Sequence, residues 1–152
     1  MKSGQLLILV LHGPNLNLFG RREPHIYGST TLAQINASLE ALAAELGVKL
    51  EILQSNHEGA LLDQLHGHID SAQGAIINPG GLTQYSVSLH DAIKSMPFPV
   101  LEVHMSNLHA REAWRAHSAI APAVKGTVQG LGGHSYTTAL RGLVDLLRDK
   151  KA

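Results

Sequence analysis

Residues 5–11 read QLLILVL and run directly into HGPNLN at residues 12–17. This run, six of its seven residues apolar and Ile8 and Val10 β-branched, reads as a strand buried on both faces. It is far too short to span a bilayer. A single Lys2 precedes it and no small-residue cleavage site follows. The expectation is therefore a soluble cytoplasmic protein with no signal peptide and no membrane partner. Glycine, proline and amides then replace the apolar residues at once, as they do where a strand gives way to a loop.

Outward from that run, similar short runs recur at residues 48–53, 74–78, 99–103 and 126–129. Between them the apolar residues step with a helical period. Leu32, Ile35, Leu39, Leu42 and Leu46 share one helix face. Thr31 and Gln34 have the spacing of a capping box, and Gly47 stands where a left-handed cap is wanted. Leu61, Leu62, Leu65 and Ile69 form a second stripe, and Val87, Leu89, Ala92 and Ile93 a third, ended by Pro97. Tyr136, Leu140, Leu143, Val144 and Leu147 form the last, with Arg148 and Lys150 near its negative end. Alternation of strands and helices predicts a parallel sheet covered on both faces. The expected fold class is α/β, a flavodoxin-like three-layer sandwich with a five-stranded parallel sheet. A length of 152 residues suits one domain, 1–152.

Composition narrows the function classes. Lysine plus arginine and aspartate plus glutamate both number 12, so there is no basic footprint for nucleic acid. The absence of cysteine excludes disulfides, thiolate metal sites and cysteine nucleophiles. His66 and His68 have no partnered carboxylate motif, so no metal is expected there. The glycine-rich stretch after Gly130 lacks the spacing of a dinucleotide fingerprint and follows the last strand, and no phosphate-binding P-loop exists.

In open parallel sheets, ligands bind beyond the carboxyl ends of the strands. The residues there are HGPNLN (12–17), QSNHEG (54–59), NPGGLTQ (78–84), HMSN (104–107) and QGLGG (129–133). All are rich in amide, hydroxyl, imidazole and glycine, which points to a small-molecule site along one sheet edge. The connection over residues 19–31 is the longest, and loops of that length in compact domains often serve as lids. Glu102 and His104 lie two apart on a strand and so face the same way. A carboxylate beside an imidazole fixes its tautomer and favours its protonated form, which suits a general acid; a structural ion pair at a strand end is the other reading.

The stretches LHGPNLNLFGRREPHIYGSTTL (11–32), QSNHEG (54–59), INPG (77–80), EVHMSNLHARE (102–112) and residues 126–133 together resemble the type II 3-dehydroquinate dehydratases. The similarity runs from about residue 5 to about residue 147. It implies a flavodoxin-like subunit, a homododecamer built as a tetramer of trimers, and the trans-dehydration of 3-dehydroquinate to 3-dehydroshikimate without metal or cofactor. By matching positions it implies Tyr27 as general base, His104 as general acid with Glu102 in support, and Arg22 as the lid residue that stabilises the transition state. Asn15 would hold a water on the enolate oxygen. Asn78, Gln84, Met105, Ser106 and Arg115 would grip the substrate, and Asp91 would reach a neighbouring subunit's site. Biosynthetic and quinate-catabolic roles share this chemistry.

The energetics fit the implied roles. Loss of a proton next to a ketone leaves an enolate, which must be stabilised where its charge develops. Phenols ordinarily ionise near 10, so a phenolate at neutral pH requires roughly 3–4 kcal/mol of stabilisation. One arginine at about 4 Å and an effective dielectric near 20 contributes around 4 kcal/mol. Arg22 lies on the same loop as Tyr27, and Arg115 is a second cation expected to add to it.

The resemblance departs in one segment. The family usually has histidine where this chain has Gln84, an aromatic at Leu82, a small residue at Tyr85 and arginine at His90. Glutamine still donates a hydrogen bond but cannot carry positive charge. The expectation is an active enzyme with weaker or altered substrate binding. The alternative is a non-catalytic or substrate-shifted homologue retaining the fold, against which stand Tyr27 and His104, both present. A flavin- or phosphoryl-binding module is a third class; the first strand–helix connection lacks the compact phosphate loop and acidic cluster it would need.

Overall fold

The computed structural model describes residues 4–149. Five strands, β1 (Leu7–His12), β2 (Lys49–Gln54), β3 (Gly74–Asn78), β4 (Val100–His104) and β5 (Gly126–Gln129), form one sheet. Its order is β2-β1-β3-β4-β5 and every pairing is parallel. The order reverses between β1 and β3, which places a crevice at their carboxyl ends. Three of the runs read from sequence are displaced by one or two residues. The strands at β1, β2 and β4 carry on to His12, Gln54 and His104, because backbone pairing continues past the last apolar side chain.

Alternation along β1 divides the core. Ile8 and Val10 face one side, where helices α2 (Leu32–Leu46) and α5 (His134–Asp149) cover the sheet with Leu39, Tyr136, Leu140 and Leu143. Leu9 and Leu11 face the other, against Leu61 and Leu65 of α3 (Glu58–Gly67) and Leu89 and Ile93 of α4 (Val87–Lys94). Both sides are apolar because a parallel sheet between two helical layers has no wet face. The arrangement is the expected flavodoxin-like three-layer sandwich.

The capping box before α2 is present in both directions, with Gln34 N donating to Thr31 Oγ1 at 3.2 Å and Thr31 N donating to Gln34 Oε1 at 2.9 Å. Gly47 ends the helix at φ 70°. All five residues of the last stripe are buried in α5, and Arg148 donates to the Leu46 carbonyl; Lys150 lies outside the described residues. Two stripes need correction. Ile69 lies beyond α3 and is exposed, because His68 Nδ1 donates to the Gln64 carbonyl at 2.8 Å and ties off the last turn. Val87 opens α4 with its side chain in solvent, and that helix ends at Lys94, before Pro97. The long connection carries a short helix, α1 (Pro24–Tyr27), with proline at its first position, where the missing N–H goes unneeded.

Among the described residues, no helix is long and apolar enough to cross a membrane.

Candidate active site

Two glycines let the loops after β1 and β3 close on each other. Gly13 N donates to the Asn78 carbonyl at 2.7 Å, and a side chain at Gly13 would overlap the Pro79 backbone. Gly80, at φ 58°, approaches the Pro14 carbonyl, where a Cβ would come to 2.8 Å. This clamp and the loop after β4 bound a cavity of about 400 Å³.

Most of the residues expected in a site meet there. Asn15, Arg22 and Tyr27 enter from the first connection, Asn78 and Gln84 from the end of β3, and His104, Met105, Ser106 and Arg115 from the end of β4. Two others do not line it. Asp91 is exposed on α4, and Glu102 lies behind His104. The loop after β2 and the end of β5 support the site from outside: Asn56 Oδ1 accepts from Asn15 N at 2.9 Å, and Gln129 Oε1 accepts from Leu108 N at 2.8 Å. Asn15 holds φ 70°, a left-handed conformation that asparagine tolerates.

Glu102 is 1% exposed, and donors surround it. His104 Nε2 lies 2.6 Å from Oε2, Thr83 Oγ1 donates to the same oxygen at 3.1 Å, and Ser118 Oγ donates to Oε1 at 2.9 Å. A buried carboxylate is tolerable only with its oxygens bonded in this way. Because the carboxylate accepts, Nε2 of His104 carries a proton. Its Nδ1 makes no hydrogen bond among the described residues and is the nitrogen available to a ligand. Thr83, in a 3-10 turn after β3, and Ser118, in a loop, are not singled out by the sequence, because no spacing ties them to Glu102.

Tyr27 meets two guanidinium groups. Arg22 Cζ lies 4.8 Å from the ring centroid and Arg111 Cζ 5.3 Å from it. Arg111 Nη1 also donates to the phenol oxygen at 2.8 Å and to Ser106 Oγ at 3.3 Å. Arg115 had been expected to be the second cation at Tyr27. It is turned away instead: its Nε bonds Glu112 Oε2 at 2.5 Å and its guanidinium stacks 4.2 Å from the Trp114 centroid. That hydrogen bond, together with the nearby positive charge, holds the Glu112 carboxyl below the usual carboxylate range. Arg111, four positions before Arg115, takes the place at the phenol.

Behind Asn78 lies a polar chain that is buried at Tyr136 and His12 and half-exposed at Asn36. Asn78 Nδ2 donates to Tyr136 Oη at 2.9 Å, Tyr136 Oη is 3.1 Å from His12 Nδ1, and His12 Nε2 is 2.9 Å from Asn36 Oδ1. Burial pulls the His12 imidazole down from 6.5 to about 4, against the opposing effect of the Asn36 bond, and pushes the Tyr136 phenol upward. Below 6.5 the unfolded chain therefore binds a proton that the native His12 refuses. Its contribution to stability is complete above 6.5 and is lost as pH falls toward 4. Urea unfolding of the wild type should show about 3 kcal/mol of such loss, and His12→Gln should flatten the profile across that window. Parallel profiles for the two proteins would mean that His12 is not the titrating group.

A family model described as dehydroquinase class II matches residues 6–144. The chain belongs to that family. It is 53% identical over 143 residues to the 3-dehydroquinate dehydratase of Nostoc sp., spanning 94% of this chain and 97% of that protein. With the 3-dehydroquinate dehydratase of Desulforudis audaxviator it shares 51% over 140 residues, 92% and 93% of the two chains. The crystal structure of the type II dehydroquinase from Propionibacterium acnes has a TM-score of 0.89 at 39% identity, covering 93% of this chain and 99% of that one.

Within a class II dehydroquinase fold the departures can be placed. Gln84 donates to the Arg115 carbonyl at 3.4 Å, while its Oε1 is buried without a partner among the described residues. Leu82 is buried in the core, and His90 Nδ1 bonds the Ala119 carbonyl at 2.8 Å. Tyr85 and Trp114, 67% and 60% exposed, flank the mouth of the cavity. Among the described residues, no cluster of three or more histidine, aspartate or glutamate side chains could hold a metal.

Proposed function

We propose that this chain is a 3-dehydroquinate dehydratase acting as a single catalytic domain, with Tyr27 as base and His104 as acid. The observation that carries the reading is one cavity lined by both a phenol oxygen gripped by Arg111 and an imidazole backed by a buried carboxylate. Tyr27 takes the proton next to the ketone, the electron pair moves into the enolate, and the enolate expels the hydroxyl of the adjacent carbon. His104 gives that hydroxyl a proton, and water leaves with formation of the conjugated double bond. A guanidinium N–H on the phenol oxygen stabilises its anion through a charge-assisted hydrogen bond. Asn15 holds a water for the enolate oxygen, while Asn78, Gln84, Met105, Ser106 and Arg115 position the substrate. Residues acting on charge that exists only in the transition state should alter kcat before KM. For Arg22→Ala a kcat loss of roughly a hundredfold is expected with a smaller change in KM. A pure KM effect would remove Arg22 from that role.

The reading extends to assembly as a cytoplasmic homododecamer, a tetramer of trimers in which Asp91 approaches a neighbour's site. Exposed Tyr85, Val87 and Trp114 supply apolar surface for such contacts, and light scattering reads the mass directly. The primary test is an ultraviolet assay with 3-dehydroquinate, following the conjugated enone without added metal or cofactor. Turnover supports the reading; its absence in folded protein overturns it and favours a non-catalytic homologue. Gln84→His should lower KM about 3–10-fold, the worth of roughly one added hydrogen bond. Unchanged KM and kcat would show that the departure at Gln84 does not weaken binding.

A further inference from the structure

We propose that Tyr136, His12 and Asn36 form a positioning chain that fixes the amide of Asn78 with an N–H toward the cavity, which makes Tyr136 and His12 positioning residues for substrate binding. The inference rests on the proposed dehydratase reading, because it assigns Asn78 to the substrate.

Hydrogen-bond direction carries it. At the cavity end, Gly80 N, which can only donate, lies 3.1 Å from Asn78 Oδ1. The amide oxygen therefore faces the loop after β3, and Nδ2 faces Tyr136 Oη at 2.9 Å. A phenol that accepts from Asn78 has its own proton to give, and His12 Nδ1 at 3.1 Å receives it. Nδ1 is then bare, so the imidazole proton sits on Nε2 and points at Asn36 Oδ1, 2.9 Å away. Every group in the row is satisfied in one direction only. Asn78 has two N–H groups, one of which Tyr136 holds, and the other remains on a residue that lines the cavity.

Reversal is costly at each link. A proton on Nδ1 of His12 would face the phenol oxygen and send the phenol proton toward Asn78. The amide would then have to rotate, and Gly80 N would lose its acceptor. His12 and Tyr136 are both 0% exposed, so no water can substitute. Such an unmade bond among buried groups is the expensive case. The chain also joins elements far apart in sequence. Asn36 sits on α2, His12 ends β1, Tyr136 is in the first turn of α5, and Asn78 ends β3. Two buried polar side chains in an otherwise apolar layer thus have a use that packing alone does not require.

Kinetics and imidazole tautomer together test the proposal. Tyr136→Phe keeps the ring and removes the acceptor from Asn78. Asn36→Leu acts from the half-exposed outer end, away from the cavity, and Asn36→Asp returns an acceptor there. Because Asn78 would hold the substrate alike in ground and transition states, the effect belongs in KM. Expected are a KM rise of about tenfold in Tyr136→Phe and about threefold in Asn36→Leu, with kcat within about threefold and recovery in Asn36→Asp. Nitrogen-15 NMR of His12 should show the Nε2–H form in the wild type. Its Nδ1–H form as the majority species, or an unchanged KM in both folded variants, overturns the proposal. So does a loss confined to kcat. Failure of the dehydratase reading looks different: the wild type itself does not turn over 3-dehydroquinate.

Discussion

Tyr27→Phe is expected to lower turnover of 3-dehydroquinate by about 10³–10⁴-fold while the protein stays folded. The substitution removes one oxygen and little else. The ring keeps its tilted contact with Phe19, centroids 5.5 Å apart, and Arg22 remains over its face. Tyr27 is only half-buried, so no core cavity opens. Arg111 loses its bond to the phenol but retains Ser106 Oγ at 3.3 Å. The loss should therefore fall on kcat, since the base acts on a proton that moves only in the transition state. Steady-state assays across pH, beside circular dichroism, make the comparison. Near-normal rates at any pH would mean that another group removes the proton, and Arg111 would then be a structural tie between the lid and the loop after β4.

The layers of the fold were legible because burial imposes a period. A strand covered on both faces must be apolar throughout, and the run ending at Leu11 is. A helix covering a sheet must repeat its apolar residues at 3 and 4, and Leu32 to Leu46 do. The errors lie where local geometry overrides that pattern, as at Ile69, cut from its helix by the His68 ring, and Val87, the first residue of α4.

Much of the site was legible for a different reason: its residues follow strand ends that the apolar runs mark. What stayed hidden was contact between loops. Arg111 and Tyr27 are 84 residues apart, and His12 and Tyr136 are 124 apart. Arg111 and Arg115 are both guanidinium groups beyond β4, four positions apart. Arg115 has local partners in Glu112, three positions before it, and the adjacent Trp114, whereas the turn of Arg111 to the phenol is a contact between distant loops. His12 read as the first polar residue of a loop, whereas it is the last residue of β1 and lies under α5.

His104→Ala is expected to lower dehydration by about 10³-fold, and its comparison with Tyr27→Phe separates the two halves of the reaction. Truncation leaves Glu102 buried with Thr83 and Ser118 as its remaining donors. Some stability is lost as well, because a buried carboxylate short of a partner is costly, so folded protein must be verified first. Expulsion of hydroxide without a proton donor is the step that His104 relieves. Removal of the proton next to the ketone does not need it. In deuterated solvent, His104→Ala should therefore still exchange that proton of 3-dehydroquinate for deuterium, with little enone formed. Tyr27→Phe should do neither. If His104→Ala neither exchanges nor dehydrates while folded, the imidazole is needed before the enolate exists. If it dehydrates at the wild-type rate, the buried Glu102–His104 pair is an ion pair of the fold and the acid must be sought elsewhere on the cavity wall.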